Sequence, residues 1–295
     1  MCGHGDGGPL VVAKGEPCRR QADRTEGQGQ LRVPGARRSA SYDDLGEGEP
    51  RLSRTSRRHR LALRVTKIIA VVLVLLMAAI GLLFVLTPSA GQATALAEAQ
   101  AREHHIAYPG PPVPPYFAEA LVATEDHRFY SDPGVDPLAL ARVAASWITG
   151  HTDGGGSTID QQLAKNLYTS GHSGFTQIFE QVAVAIKLNM TYSRAEILRL
   201  YAEVAYYGHG YYGLTAASCG YFGRPPDQLT VVQAAMLAGA VNAPTYDDPL
   251  VYPARARARL VHVIDRMAAV GYLTKAQQAA TLKAPLDLST VRGCQ

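Results

Sequence analysis

Apolar residues in this chain form one unbroken run near the N-terminus, followed by shorter segments with helical spacing. The run covers Ile68 to Leu86, 19 residues without a charged side chain. A helix of that length spans roughly 28 Å, close to the hydrocarbon core of a bilayer. The run has no polar stripe, which a buried helix of a soluble domain normally shows. A cleaved signal peptide is the alternative, but the run starts far from Met1. The pattern therefore predicts a transmembrane helix over residues 68–86.

After residue 115, apolar residues recur at intervals of three and four, the spacing of one helix face. Ser193, Thr230 and Thr274 each stand three positions before Glu or Gln, which predicts capping boxes at three helix starts. Alternation typical of strands is scarce. The sequence therefore predicts a mostly α fold, with helices over residues 116–126, 136–149, 158–168, 175–190, 194–206, 231–241, 254–270 and 275–282.

Composition divides the chain into four parts. Residues 1–67 hold 14 Lys and Arg against 8 Asp and Glu, and they predict a disordered basic tail. Residues 68–86 are the predicted membrane helix, 87–115 a Pro-rich connector, and 116–290 one folded domain. Residues 51–67 carry seven basic and no acidic side chains. The positive-inside rule then places the tail in the cytoplasm and the domain outside, as a single-pass protein of the cell membrane.

Net charge and cysteines limit the partners further. The chain after residue 67 holds 15 basic against 17 acidic residues, which gives no support for a nucleic-acid partner. The basic tail suits anionic lipid headgroups. Cys219 and Cys294 are expected outside the cell, where a disulfide can form, whereas Cys2 and Cys18 are expected to stay reduced. Location on one side does not prove proximity, so the pairing stays open. No Cys-x-x-Cys metal spacing occurs.

The segment over residues 155–166 carries the most informative chemistry, and it reads GGSTIDQQLAKN. A Gly-rich turn leads into a helix start, where Ser157 is expected to cap backbone N–H groups. A helix N-terminus favours anions, and Lys165 adds a compact positive charge. About thirty residues earlier, Glu125 offers a carboxylate for proton abstraction. These features predict a site for a polyanionic leaving group. The structural alternatives are a flexible loop and a Glu125–Arg128 ion pair.

Three further segments complete a recognisable order of motifs. Residues 125–129 read EDHRF, residues 193–201 read SRAEILRLY, and residues 206–224 contain YYGHGYYGL and AASCGYFGR. Together with residues 155–166 and the segment ending at Ala243-Pro244, they resemble glycosyltransferase family 51. That family comprises the peptidoglycan glycosyltransferase domain of class A penicillin-binding proteins and the monofunctional transglycosylases. The resemblance covers roughly residues 115–250.

The resemblance implies a lysozyme-like helical domain that polymerises lipid II into glycan strands and releases undecaprenyl diphosphate. It implies Mg²⁺ or Mn²⁺ bound through the substrate diphosphate, with no protein-built metal site. The expected partners are lipid II, the growing strand, membrane lipids and other wall-synthesis proteins. No Ser-x-x-Lys or Lys-Thr-Gly follows, so no transpeptidase domain is expected. The implied catalytic residues are Glu125 and Glu180, and the implied substrate-binding residues are Asp126, Ser157, Gln161, Gln162, Lys165 and Asn166.

The chain departs from the family pattern at several positions. The second family glutamate aligns with Gln181, and Glu180, its neighbour, is the expected substitute. The Arg-Lys pair upstream aligns with residues 177–178, which are Gln and Ile. Asp132 replaces a His, Asp160 a Thr and Glu203 an Asn. A weak or inactive scaffold that binds lipid II is therefore the alternative function, and a wall-cleaving muramidase using Glu125 as a lone acid is a third.

Overall fold

The computed structural model of the protein describes residues 54–138, 156–170, 172, 174–289 and 294. Throughout these ranges the regular structure is helical, and Tyr206 and Tyr212 form an isolated bridge instead of a strand. The mostly α prediction is confirmed for this part of the chain. We number its helices α1 (Arg54–Leu86), α2 (Ala93–Glu103), α3 (Pro115–Glu125), α4 (Ile159–Tyr168), α5 (Phe175–Thr191), α6 (Arg194–Val204), α7 (Leu214–Phe222), α8 (Val231–Ala240), α9 (Pro253–Val270) and α10 (Lys275–Lys283).

Helix α1 contains the predicted membrane segment and begins 14 residues before it, within the basic part of the chain. None of its most apolar 18 residues is buried in the structure. Exposed Leu, Val and Ile side chains surround it on all sides. By length and composition α1 can cross a membrane. The tail before residue 54 lies outside the described residues.

The core of the domain is built around α8, in which every residue after Val231 is buried. A helix that is apolar on all sides is stable only when other elements cover it. Helices α3 and α9 both pack against α8. This packing brings the C-terminal end of α3, where Glu125 lies, next to α9.

Helix starts follow the predicted capping chemistry with one correction. Capping boxes form at Ser193, Thr230 and Thr274, as predicted. At the start of α4, however, the prediction that Ser157 is the cap was wrong. Thr158 accepts the hydrogen bond from the N–H of Gln161, and the Gln161 side chain returns one to the N–H of Thr158. Ser157 lies one residue outside this box and is exposed.

Two helices were not predicted. Helix α2 lies within the expected connector, and its Ala93, Ala97 and Ala101 are buried in the core. Helix α7 follows the Gly-rich turn and carries Cys219, which forms a disulfide with Cys294. The disulfide that the sequence left open is therefore present. Of the predicted helices, the segment 136–149 lies almost entirely outside the described residues.

Candidate active site

Glu125 is the last residue of α3, and only 7% of its side chain is exposed. Its Oε1 accepts a hydrogen bond from Arg259 Nη2 at 2.6 Å, and its Oε2 accepts one from Gln162 Nε2 at 3.0 Å. The Glu125–Arg128 ion pair, which was the structural alternative for Glu125, does not form, because Arg128 pairs with Asp132 and Asp136. A buried carboxylate needs such partners, and each oxygen keeps a lone pair that can accept a proton.

Gln162 is held in one orientation by two neighbours. Its Oε1 accepts a hydrogen bond from the hydroxyl of Tyr201 at 2.8 Å, while its amide N–H points to Glu125. Tyr201 is fully buried, and burial raises the pKa of its phenol, so the hydroxyl keeps its proton and donates. The amide oxygen must therefore face Tyr201, which leaves the amide nitrogen for the carboxylate. Residues of α3, α4 and α6 are joined in this way.

Arg259, on α9, is a site residue that sequence reasoning missed. Its Nε donates to the carbonyl oxygen of Gly239 at 3.2 Å while its Nη2 binds Glu125. A Cβ at position 239 would lie 3.1 Å from Arg259 Cγ, so a glycine leaves room for the arginine against α8. A signal was available, because Arg259 lies beside the buried positions Leu260 and Val263 of the same helix. A cation beside an apolar stripe requires a partner.

A second arginine of α9 contacts the same end of α3. Arg266, seven residues after Arg259, donates from Nε to the carbonyl oxygen of Ala123 at 3.2 Å. Residues seven apart lie on one helix face. The last carbonyls of a helix lack partners within it and favour cations. The two arginines together hold the end of α3, and with it Glu125, against α9.

Asp126, an expected substrate-binding residue, is buried and directed into the protein. Its Oδ2 accepts a hydrogen bond from the N–H of Ile159, the first residue of α4, at 3.2 Å. Burial raises the pKa of Asp126 to about 7, and the carboxylates of Asp160 and Asp132 add to the rise. Its observed role is to connect the end of α3 to the start of α4.

The start of α4 places the other expected substrate-binding residues. Ser157 is exposed before the helix, and Gln161 serves the capping box. Lys165 and Asn166 are half-buried one turn further along the helix. Residues three and four apart share a helix face, so both lie on the face of Gln162. A cation, an amide and the Glu125 carboxylate thus lie along one side of α4. The Gly-rich turn up to Gly155 lies outside the described residues.

The sequence profile of the transglycosylase family matches residues 92–268. The chain belongs to the transglycosylase family. The chain is 40% identical over 166 residues to penicillin-binding protein 1A of Escherichia coli, a match that covers 56% of this chain and 20% of that protein. It is 35% identical over 176 residues to a Cupriavidus necator protein named as a transglycosylase, covering 60% of this chain and 76% of that protein. The chain thus spans about a fifth of the penicillin-binding protein and most of the other relative.

This transglycosylase departs from the family pattern on α5, where the side chain of Gln181 is turned inward. Its Nε2 donates to Thr169 Oγ1 at 2.9 Å and to the carbonyl oxygen of His172 at 2.7 Å. Gln181 therefore holds the segment that follows α4. Glu180, the expected second carboxylate, is half-buried on the same helix. Adjacent helical side chains point about 100° apart, so Glu180 faces a different direction from Gln181.

Three other departures place additional carboxylates inside the fold. Asp160 is 1% exposed, and its Oδ2 lies 3.5 Å from Arg194 Nη1. Asp132 lies near this group, and its backbone oxygen accepts a hydrogen bond from Arg194. Glu203 accepts from the N–H of Gly110 at 2.6 Å and from Arg199 at 3.1 Å. In each case an arginine accompanies the substituted acid, which keeps these departures compatible with the fold.

The described residues contain no cluster of three His, Cys, Asp or Glu side chains that could hold a metal ion. The Mg²⁺ or Mn²⁺ that the family resemblance implies stays a prediction.

Proposed function

We propose that this peptidoglycan glycosyltransferase polymerises lipid II into glycan strands and releases undecaprenyl diphosphate. The observation that carries the proposal is the environment of Glu125. Its carboxylate is nearly buried, is held by Arg259 and Gln162, and lies beside the start of α4. A general base and a site for a diphosphate leaving group are what this transfer requires.

In the proposed reaction, Glu125 accepts the proton of the acceptor's 4-hydroxyl. The hydroxyl oxygen forms a bond to the anomeric carbon of the donor as the bond from that carbon to the diphosphate oxygen breaks. The electron pair of the broken bond leaves with undecaprenyl diphosphate, and the anomeric configuration inverts. Arg259 and Gln162 hold the carboxylate so that one lone pair faces the hydroxyl, which limits the motion needed before reaction.

The start of α4 binds the donor diphosphate in this proposal. Ser157 is exposed there, and Lys165 and Asn166 follow on the face of Gln162. Developing negative charge on the leaving group is stabilised by the Lys165 ammonium and by the positive end of the helix dipole. A divalent cation held by the diphosphate adds charge neutralisation when bound.

Helix α1 is proposed to span the cell membrane with the tail in the cytoplasm and the domain outside. Its composition and the basic residues at 51–67 support this orientation. Lipid II keeps its polyprenyl chain in the bilayer, so an enzyme on a short membrane tether remains near its substrate. Membrane lipids, the growing strand and other wall-synthesis proteins are the proposed partners.

The decisive experiment is polymerisation of lipid II by the full-length protein in detergent with Mg²⁺, read as glycan ladders on a gel. Glu125→Gln is expected to abolish the ladders, because an amide cannot accept the proton. Glu119→Gln, on the same helix, is the matched control and should retain them. Addition of EDTA, which removes Mg²⁺, tests whether polymerisation requires the divalent cation. Wild-type protein that is folded but forms no polymer would refute the proposal.

Gln181 favours one alternative, a weak or inactive scaffold that binds lipid II. An amide replaces the second family carboxylate and is engaged in holding Thr169 and His172. Loss of ladders in both Glu125→Gln and Glu180→Gln supports the enzyme with Glu180 as second carboxylate. Ladders from Gln181→Glu, but none from wild type, support the scaffold.

A further inference from the structure

The C-terminal end of α1 is bound by a single lysine of the domain. Lys187, on α5, donates from Nζ to the carbonyl oxygen of Thr87 at 2.8 Å, to Thr87 Oγ1 at 2.9 Å and to the carbonyl oxygen of Pro88 at 3.1 Å. An ammonium group has three N–H donors, and all three are used. The Nζ also lies 4.8 Å from the centre of the Phe84 ring. A cation is favoured here because these groups lie just beyond the C-terminus of α1, where the helix dipole has its negative end.

Two tyrosines hold the next residues of the chain, Ser89 and Ala90. The hydroxyl of Tyr168 lies 3.1 Å from the carbonyl oxygen of Ser89 and 3.2 Å from that of Ala90. The hydroxyl of Tyr192 also donates to Ala90 at 3.2 Å. Ala90 itself is 3% exposed and belongs to the core. Residues 87–90, which lie within the expected connector and which we call the link, are therefore fixed to the domain by Tyr168 of α4, Lys187 of α5 and Tyr192, which follows α5.

This link is directly connected to the candidate active site. Tyr168 is the last residue of α4, and Gln162, on the same helix, binds Glu125. Six residues of helix cover about 9 Å. A single rigid helix therefore joins the link at residues 87–90 to the carboxylate that performs the proton transfer.

We propose that Lys187 is a positioning residue that fixes the end of α1 to the domain and thereby sets the position of Glu125 relative to the bilayer. The proposal rests on the proposed function, in which the substrate's lipid stays in the membrane. Loss of the Lys187 contacts leaves the Glu125 network intact but lets the domain move on its tether. The reaction then slows for a substrate held in the same bilayer and continues normally for one that diffuses freely.

The test uses full-length protein in liposomes, supplied either with long-chain lipid II in the same bilayer or with a short-chain, water-soluble analogue. Lys187→Met removes the three donors and keeps most of the aliphatic stem. We expect polymerisation of embedded lipid II to fall about tenfold, and that of the analogue to stay within about twofold of wild type. Lys187→Arg, which keeps a cation, should restore part of the rate. Lys275→Met, at an exposed position of α10, should change neither rate. Equal losses with both substrates, or no loss with either, overturn the proposal.

A second readout is independent of activity. Hydrogen exchange of the backbone amides in residues 87–92 is expected to be faster in Lys187→Met and unchanged in Lys275→Met. Unchanged exchange in Lys187→Met contradicts the proposed fixation. If wild type polymerises neither substrate, the proposed function fails. The exchange measurement then decides alone whether Lys187 fixes the link.

Discussion

At the residue scale, the proposed chemistry depends on a pair of side chains 134 positions apart in the chain. Glu125 ends one helix, and Arg259 lies on another, so their 2.6 Å contact exists only after α3 and α9 pack on α8. Breaking a buried pair by removing one member leaves the other charge without a partner. Arg259 therefore fixes the position of Glu125 and pairs with its nearly buried carboxylate.

Arg259→Met is expected to lower the rate of polymer formation about a hundredfold, because Glu125 loses its cation and half of its fixed contacts. Arg259→Lys should retain the charge but not the second bond to Gly239. Initial rates, with thermal unfolding as a check on folding, measure this. A fall in rate no larger than the loss of folded protein would show that Arg259 acts only on structure.

The raised pKa of Asp126 predicts that the stability of the folded protein depends on pH. Its pKa is about 7 in the folded protein and 3.8 when unperturbed, since burial disfavours the charged form. Folding therefore binds a proton between these values, and this contribution to stability is complete below pH 3.8 and is lost as pH rises through 7. Asp126→Asn, which cannot ionise but can still accept from Ile159, should match wild type near pH 4. It should be more stable at pH 8, by about 2–4 kcal/mol.

Thermal unfolding of wild type and Asp126→Asn from pH 4 to 8 tests this dependence. The difference between the two unfolding temperatures should grow with pH up to about 7 and then level off. Asp227→Asn, at an exposed position, serves as the control and should follow wild type throughout. Parallel curves for wild type and Asp126→Asn would contradict burial of an ionisable Asp126.

At the element scale, the adjacent residues Ser157 and Thr158 have different roles at the start of α4. Thr158 stabilises the fold, whereas Ser157 is exposed and is proposed to bind substrate. Thr158 Oγ1 accepts from the N–H of Gln161 and donates to the carbonyl oxygen of Gly134 at 2.8 Å. Thr158→Ala removes both bonds and should destabilise the protein by about 1–2 kcal/mol. Ser157→Ala should leave the unfolding temperature unchanged and weaken only substrate use, seen as a raised KM. Equal destabilisation by the two variants would show that Ser157 also supports the helix start.

The elements that sequence reasoning found and missed differ in their patterning. Helices α4, α6, α8 and α10 each start at a Ser or Thr that has Gln or Glu three positions later. These capping boxes define the helix starts from the local sequence alone. Helix α2 buries only alanines, which give little contrast between its faces. Helix α7 starts after Gly213, which has φ 79° and no side chain to cap the helix. The end of α3 was predictable, whereas its packing against α9 depended on long-range contacts that no local pattern encodes.

At the scale of the whole molecule, the Cys219–Cys294 disulfide links the C-terminal segment to α7 and closes a loop of 75 residues. The backbone N–H of Ser289 also donates to the carbonyl oxygen of Tyr221, on the same helix, at 2.7 Å. Closing a long loop restricts the unfolded chain, and loss of such a bond typically costs about 2–4 kcal/mol. A disulfide is stable where the environment is oxidising, which agrees with a domain outside the cytoplasm.

Cys294→Ser is therefore expected to lower the unfolding temperature in detergent, and to leave polymerisation at low temperature near wild type. The rate should survive because the Glu125 network is built from α3, α4, α6 and α9, whereas the disulfide joins α7 to the C-terminus. Reductant should lower the unfolding temperature of wild type to that of Cys294→Ser and leave the variant unmoved. Cys18→Ser, in the tail, is the matched control and should respond to reductant as wild type does. If reductant does not change the unfolding temperature of wild type, the disulfide does not form in the purified protein. The disulfide then no longer supports an extracytoplasmic domain.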